Sequence, residues 1–224
     1  MAAPSYVGSG ASAHSTTTPK TVACGTRAVG DLVVVVVLQV SGGTNTYSVS
    51  DNLGNSYALA AQDTSDTRRT AIYYAVVTSG GSLTVSVGAA GGIAYSIAAV
   101  WASPPGGTTI AFDAAGNFGS ASNNTSHPCA AVGQIDTAAD VFAVAGSVTG
   151  GSTGTVTDPT GFTLRQQPLS QRAFMWSKES AAALTDERAQ WVSGSSCSWA
   201  GAVASFKAVA AGGGGGSALM SDWW

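Results

Sequence analysis

Asp51, Asn52 and Asn55 place three oxygen-bearing side chains within the stretch VSDNLGNSYALAAQ (49–62). Hard cations such as Ca²⁺ take about six to eight oxygen ligands. The stretch therefore reads either as part of a calcium loop or as a turn. In a turn, the Asp side chain bonds its own backbone and Gly54 supplies a positive φ. A second copy separates the two readings. VTDPTGFTLRQQ (156–167) keeps Asp158 and Gly161 at the same spacing and has no asparagine. What the copies share is turn chemistry, so Asp51, Gly54, Asp158 and Gly161 are expected to fix hairpins and no metal is expected.

The other chemistry-bearing residues are sparse. Glu179 and Glu187 are the only glutamates. A carboxylate pair flanking a glycosidic bond could hydrolyse it, but KESAAALTDER reads as a solvated connection. His14 and His127 are the only histidines, and His127-Pro128-Cys129 supplies half of a zinc set at most. No GxSxG, Walker or dinucleotide motif occurs. Cys24, Cys129 and Cys197 are read as free thiols. The expectation is a non-enzymatic protein without cofactors.

Trp101, Trp176, Trp191 and Trp199 fall in apolar, strand-like stretches. Tryptophan on an exposed sheet face could stack on sugar rings, but it more commonly fills cores. The segment after Ala211 is different in kind. GGGGGS (212–217) is a flexible tether. ALMSDWW (218–224) brings Leu219, Met220, Trp223 and Trp224 together, and aromatic anchors dominate interface energies. These four are the expected partner-binding residues, with Tyr6 and Val7 as a second set near the N-terminus.

The elements that must position these residues are strands. LVVVVVL (32–38) is continuous, apolar and β-branched, as in a central strand covered on both faces. AIYYAVV (71–77) and YSIAAVW (95–101) are further strands, and SLTVSV (82–87) alternates as a strand with one wet face. Gly-rich and Pro-Pro-Gly punctuation separates them. No segment sustains a helical period; KESAAALTDERAQ (178–190) is at best a short turn of helix or a long connection.

The order of segments repeats. Cys24, Asp31, Asp51, Gly54 and Arg69 match Cys129, Asp140, Asp158, Gly161 and Arg172, roughly 105 residues on, a period too long for a solenoid unit and suited to a sandwich of about 100 residues. The expected organisation is a first β-sandwich repeat over 1–105, a second over 106–211, and a tethered aromatic segment over 212–224. Whether the repeats form one sandwich or two is open at this point.

Composition bounds the partners. Charged residues are 9% of the 224, and the net charge is −3. No basic stripe exists for nucleic acid. The longest apolar run is far short of a helical membrane span, and MAAPSYVGSGASAHS lacks the pattern of a secretory signal. A neutral, small-residue surface suits a protein packed among neighbours.

The succession GDLVVVVVLQV, VSDNLGNSYALAAQ, RRTAIYYAVVTSGGSLTVSV and IAAVWASP resembles β-sandwich structural proteins of tailed bacteriophages, either capsid decoration (cement) proteins or tail-associated proteins. The resemblance lies in style and segment order and covers nearly all of residues 5–210. It implies an all-β, duplicated jelly-roll-like or Ig-like antiparallel sandwich in a virion assembled in the host cytoplasm. It implies contact with the major capsid protein or other virion proteins, a homo-oligomer such as a trimer, and no catalytic residues. The alternative it leaves open is a tail-associated carbohydrate-binding, host-recognition module whose site would be exposed aromatics with Asp51, Asn52 and Asn55.

Overall fold

A computed structural model describes residues 2–40, 42, 46–63, 67–90, 93–127, 139–184 and 189–211, without side chains over 117–127. Among these residues the chain is all-β and contains no helix. The first half supplies β1 (Ser5–Ser15), β2 (Lys20–Arg27), β3 (Leu32–Gln39), β4 (Tyr47–Asp51), β5 (Ala58–Asp63), β6 (Arg69–Val76), β7 (Gly81–Ala89) and β8 (Tyr95–Ser103). They form a large antiparallel sheet, β1-β8-β3-β6-β5, and a small one, β2-β7-β4. The 1-8-3-6 and 2-7-4 orders are those of a jelly roll, the double Greek key of eight strands. One departure matters later: β5 bonds to β6 in the large sheet and leaves β4 as an edge of the small one.

The second half repeats this topology with fewer, longer strands. β9 (Thr108–His127) takes the places of β1 and β2, and β14 (Trp191–Ala210) those of β7 and β8. Between them, β10 (Val141–Thr149), β11 (Val156–Thr157), β12 (Thr163–Leu169) and β13 (Ala173–Ser180) stand for β3, β4, β5 and β6. The pairings correspond one for one. β10 lies between β13 and β14 as β3 lies between β6 and β8, β12 pairs β13 as β5 pairs β6, and β11 pairs β14 as β4 pairs β7. In the 178–190 segment, β13 runs through Ser180, and Thr185–Arg188 lie outside the described residues.

The two sandwiches pack back to back through their large sheets. Leu32, Val34, Val36 and Leu38 share a buried cluster with Phe142, Val144, Val148, Ala202, Ala204 and Phe206 of the second half. Val33, Val35 and Val37 point the other way, onto Val22, Cys24, Leu83, Val85 and Val87 of the small sheet. A third cluster, with Phe174, Trp176, Trp191 and Trp199, fills the second sandwich. This is why 32–38 is apolar at every position: alternate residues serve two different cores, and all seven are fully buried. Burying each valine is worth about 1.5–3 kcal/mol, so this strand is the thermodynamic centre of the molecule.

Most of the contact between halves is reciprocal, with β6 as the departure: it packs on β14 and β10, and its counterpart β13 makes no comparable contact with β8 or β3. β1 packs on β12 and its counterpart β9 packs on β5; β8 packs on β12 and its counterpart β14 on β5; β3 meets its own counterpart β10. That pattern is an approximate twofold axis, an isologous interface within one chain. On it, Val36 and its counterpart Gly146 face each other: a Cβ on Gly146 would lie well inside van der Waals contact with Val36 Cγ1 and 3.2 Å from Thr70 Cγ2. Two identical halves with valine at both positions would collide there, so divergence of the copies is built into the packing.

Candidate interaction surfaces

The Asp51 turn is a hydrogen-bond hub. Asp51 Oδ1 accepts from the amides of Leu53 (2.9 Å) and Asn55 (3.1 Å), and Oδ2 accepts from Asn55 Nδ2 (2.9 Å) and the Tyr57 hydroxyl (3.1 Å). Burial opposes the charge, but the bonds from Asn55, Leu53 and Tyr57 outweigh it and hold the carboxyl below its ordinary range. Gly54 has φ 77° and Gly161 φ 76°, the left-handed region that favours glycine.

The second turn spends its carboxylate differently. Asp158 Oδ1 accepts from the Trp176 indole at 2.7 Å, and the Phe162 amide donates to the Pro159 carbonyl at 3.0 Å. Tyr57 and Tyr73 of the first repeat correspond to Phe162 and Trp176 of the second. Where the phenol is lost, the indole N–H replaces it as the donor, so the Asp is kept while its partner moves.

Asn55, weighed above as a calcium ligand and as part of a sugar site, is the residue the sequence undersells. It is buried, and its Oδ1 accepts from the amides of Thr78 (2.8 Å) and Ser79 (2.9 Å) and the Thr78 hydroxyl (3.1 Å). Asn52 Oδ1 accepts from the Thr84 amide at 2.6 Å. The oxygens that could have faced a cation thus bond to protein. Among the described residues, no three His, Cys, Asp or Glu side chains gather as metal ligands.

Of the two glutamates, Glu179 accepts from the Tyr6 amide at 3.0 Å, and Glu187 lies outside the described residues. His14 lies partly buried at the end of β1. Burial, then the charges of Arg172 and Lys20, hold its imidazole below the ordinary range. His127 ends β9 opposite Trp191. Cys24 and Cys197 are buried and form no disulfide, and burial raises the Cys24 thiol to about 11 and holds the Cys197 thiol above its ordinary value. Neither is a thiolate at neutral pH. Cys129 lies outside the described residues.

Among the described residues the tryptophans do not form a platform. Trp176 and Trp191 are fully buried, Trp199 is 2% exposed and Trp101 9%. Among the described residues the exposed large apolar ones are Val7, Val29, Leu59, Phe112, Leu164 and Val192. Leu59 and Leu164 occupy matched positions on β5 and β12, at the gap each sandwich leaves between its fourth and fifth strands. In the second sandwich this gap is a cavity of about 350 Å³ lined by Val156, Asp158, Leu164, Gln167, Gln171 and Phe174, among others.

Of the two residues expected near the N-terminus as anchors, Val7 is 47% exposed and Tyr6 is half-buried. Tyr6 also makes contacts within the molecule, at the seam where β1 meets β12. The Arg165 guanidinium lies 3.7 Å from its ring centre, and its hydroxyl bonds Ser9 Oγ at 3.0 Å. Leu219, Met220, Trp223 and Trp224 lie outside the described residues. No protein family, curated protein or solved structure matches this chain.

Proposed function

We propose that the chain is a non-enzymatic virion structural protein, a capsid decoration protein that bridges and stabilises neighbouring shell subunits. The observation that carries this reading is the duplication. Two jelly rolls related by an approximate twofold axis present matched surfaces in opposite directions, such as the exposed Leu59 and Leu164. One chain can then engage two like sites on a repetitive lattice, and linking two contacts raises the effective concentration of the second. A surface with 9% charged residues in the chain favours close packing with neighbours over free solution. Its partners in this reading are the major capsid protein or other virion proteins, and further copies of itself.

The ALMSDWW segment supplies an apolar anchor on a tether. Loading onto shells that lack the chain tests both parts. The full chain is expected to saturate the shells, and a chain ending at Ala211 to load with at least tenfold weaker apparent affinity, a loss of about 1.4 kcal/mol. Equal loading by the two would remove the anchor. Failure of the full chain to load at all would remove the decoration reading.

The cavity beside Asp158 favours a second reading, a tail-associated carbohydrate-binding module. Its apolar floor of Val156 and Leu164 and its rim of Asp158, Gln167 and Gln171 suit a polyhydroxylated ligand better than the buried tryptophans do.

A further inference from the structure

The two seams between the sandwiches are equivalent by topology but not by content. At the β1–β12 seam, Tyr6 and Ser9 of β1 meet Arg165 and Gln166 of β12. Gln166 Nε2 donates to Ser9 Oγ at 3.0 Å, Ser9 Oγ donates to the Arg165 carbonyl at 3.4 Å, and Arg165 covers Tyr6. The ladders fix the counterparts at the other seam. Tyr6 opposite Ala102 becomes Phe112 opposite Phe206, and Ser9 opposite Val100 becomes Ala115 opposite Ala204. Gln166 opposite Met175 becomes Ala61 opposite Ile72, and the bulged Arg165 becomes the bulged Ala60.

Each large or polar group that closes the first seam is thus an alanine in the second, apart from the phenylalanine. The result is an open slot of about 190 Å³ lined by Ala60, Ala61, Gln62, Ala115 and Gly116. Phe112, 39% exposed, sits on the same face as Ala115, stacked on Tyr74 at 5.6 Å and edge-on to Phe206 at 6.1 Å. An alanine-walled slot beside an exposed aromatic ring accepts a large apolar side chain and offers little to a charge.

We propose that the occupant is the chain's own ALMSDWW segment, with Trp223 or Trp224 in the slot. The argument is one of reach. The described body ends beside the start of β9, where the Ala211 amide bonds the Gly107 carbonyl at 3.3 Å. From Thr108, Ala115 lies seven residues along the strand, about 24 Å. The six tether residues 212–217 have a root-mean-square span of about 13 Å. The twelve residues from Gly212 to Trp223 extend to about 40 Å. The slot is therefore within the volume the segment sweeps, and tethering places it there at about millimolar effective concentration. Docking would take the ring of one tail tryptophan out of water. The inference goes beyond the structural reading above and does not depend on it. In a decoration protein it would be the resting state, from which the anchor transfers to a neighbour.

Acrylamide quenching of tryptophan fluorescence reads the result directly, because the four tryptophans of the body are shielded. The full chain is expected to keep one tail tryptophan shielded from quencher at all protein concentrations. Ala115→Phe, which fills the slot, should lose that protection. Full quenching in the unaltered chain overturns the proposal, as does protection that disappears on dilution, which would make the occupant a second copy. If Ala115→Phe does not fold, backbone amide shifts decide. Trp223→Ser/Trp224→Ser in the full chain should shift the amides of Ala61, Ala115 and Gly116, and unmoved amides there overturn the proposal. Shell loading reports separately on the anchor, so either idea can fail alone.

Discussion

Gly146→Val is expected to destabilise the protein by about 3 kcal/mol, the upper end of the usual cost of overpacking. The position lies on a central strand, opposite Met175 on one side and Ala202 on the other. Neither neighbour can withdraw without disturbing a ladder, and the new side chain would run into Val36 and Thr70. Val36→Gly alone should cost about 3 kcal/mol as well, from lost burial, a cavity and the freedom of glycine within a strand. The informative result is the double exchange. With glycine at 36 and valine at 146, the same knob enters the same hole from the other side of the axis. The double variant should recover at least about 2 kcal/mol relative to the sum of the singles, since contacting residues couple by up to about 3 kcal/mol. Urea denaturation of the four proteins measures it. Simple additivity would mean that the approximate twofold axis does not organise the interface.

Asn55→Ala is expected to cost about 3–4 kcal/mol. Five hydrogen bonds of its side chain are removed, two donated and three accepted, each worth about 1 kcal/mol net. The loss also leaves the Thr78 and Ser79 amides without their acceptor. Asn55→Asp would restore the acceptor but set a second carboxylate against Asp51, so it should rescue poorly near neutral pH. The alanine variant carries a second readout. Asp51 is held below the ordinary carboxylate range partly by Asn55 Nδ2, so its pKa should rise toward 3.8 in Asn55→Ala. A depressed folded pKa means that stability is present above the unfolded value and is lost as pH falls through the folded one. The variant's stability should therefore depend less on pH below about 4. Carboxyl titration by NMR and denaturation at pH 3 and 7 check both outcomes.

The all-β class, the strands over 32–38, 71–77, 82–87 and 95–101, and the doubled Asp-x-x-Gly turn could be read from residue type and spacing alone. They rest on local physics: β-branched runs, period-two alternation and glycine at a positive φ. The partner of each apolar face could not be read. A strand buried on both sides carries no alternation, so nothing in LVVVVVL says that its even residues meet the other repeat and its odd residues their own small sheet. The alignment of the copies also drifted by a residue. Matching Asp31 to Asp140 puts Leu32 with Val141, whereas the shared cluster puts Leu32 with Phe142. Asp140 has φ 60°, and this kink shifts the chain's entry into β10.

The contact between Tyr6 and Arg165 has no local signal, because the two lie some 160 residues apart in the chain. Asn55 looked like a spare oxygen because the bonds that bury it come from the β6–β7 loop. The open seam was invisible, because Ala60, Ala61 and Ala115 are ordinary strand residues until the halves are superposed. What an alanine lacks becomes informative only when its counterpart is an arginine, a glutamine or a serine.

The central functional claim is that this chain is a stoichiometric component of a shell. The most direct measurement is its copy number in purified particles relative to the major shell protein, by quantitative mass spectrometry. The account predicts copies in fixed proportion to the shell subunits, so that the chain covers the lattice. A handful of copies per particle, as on a tail, or none at all, would contradict it.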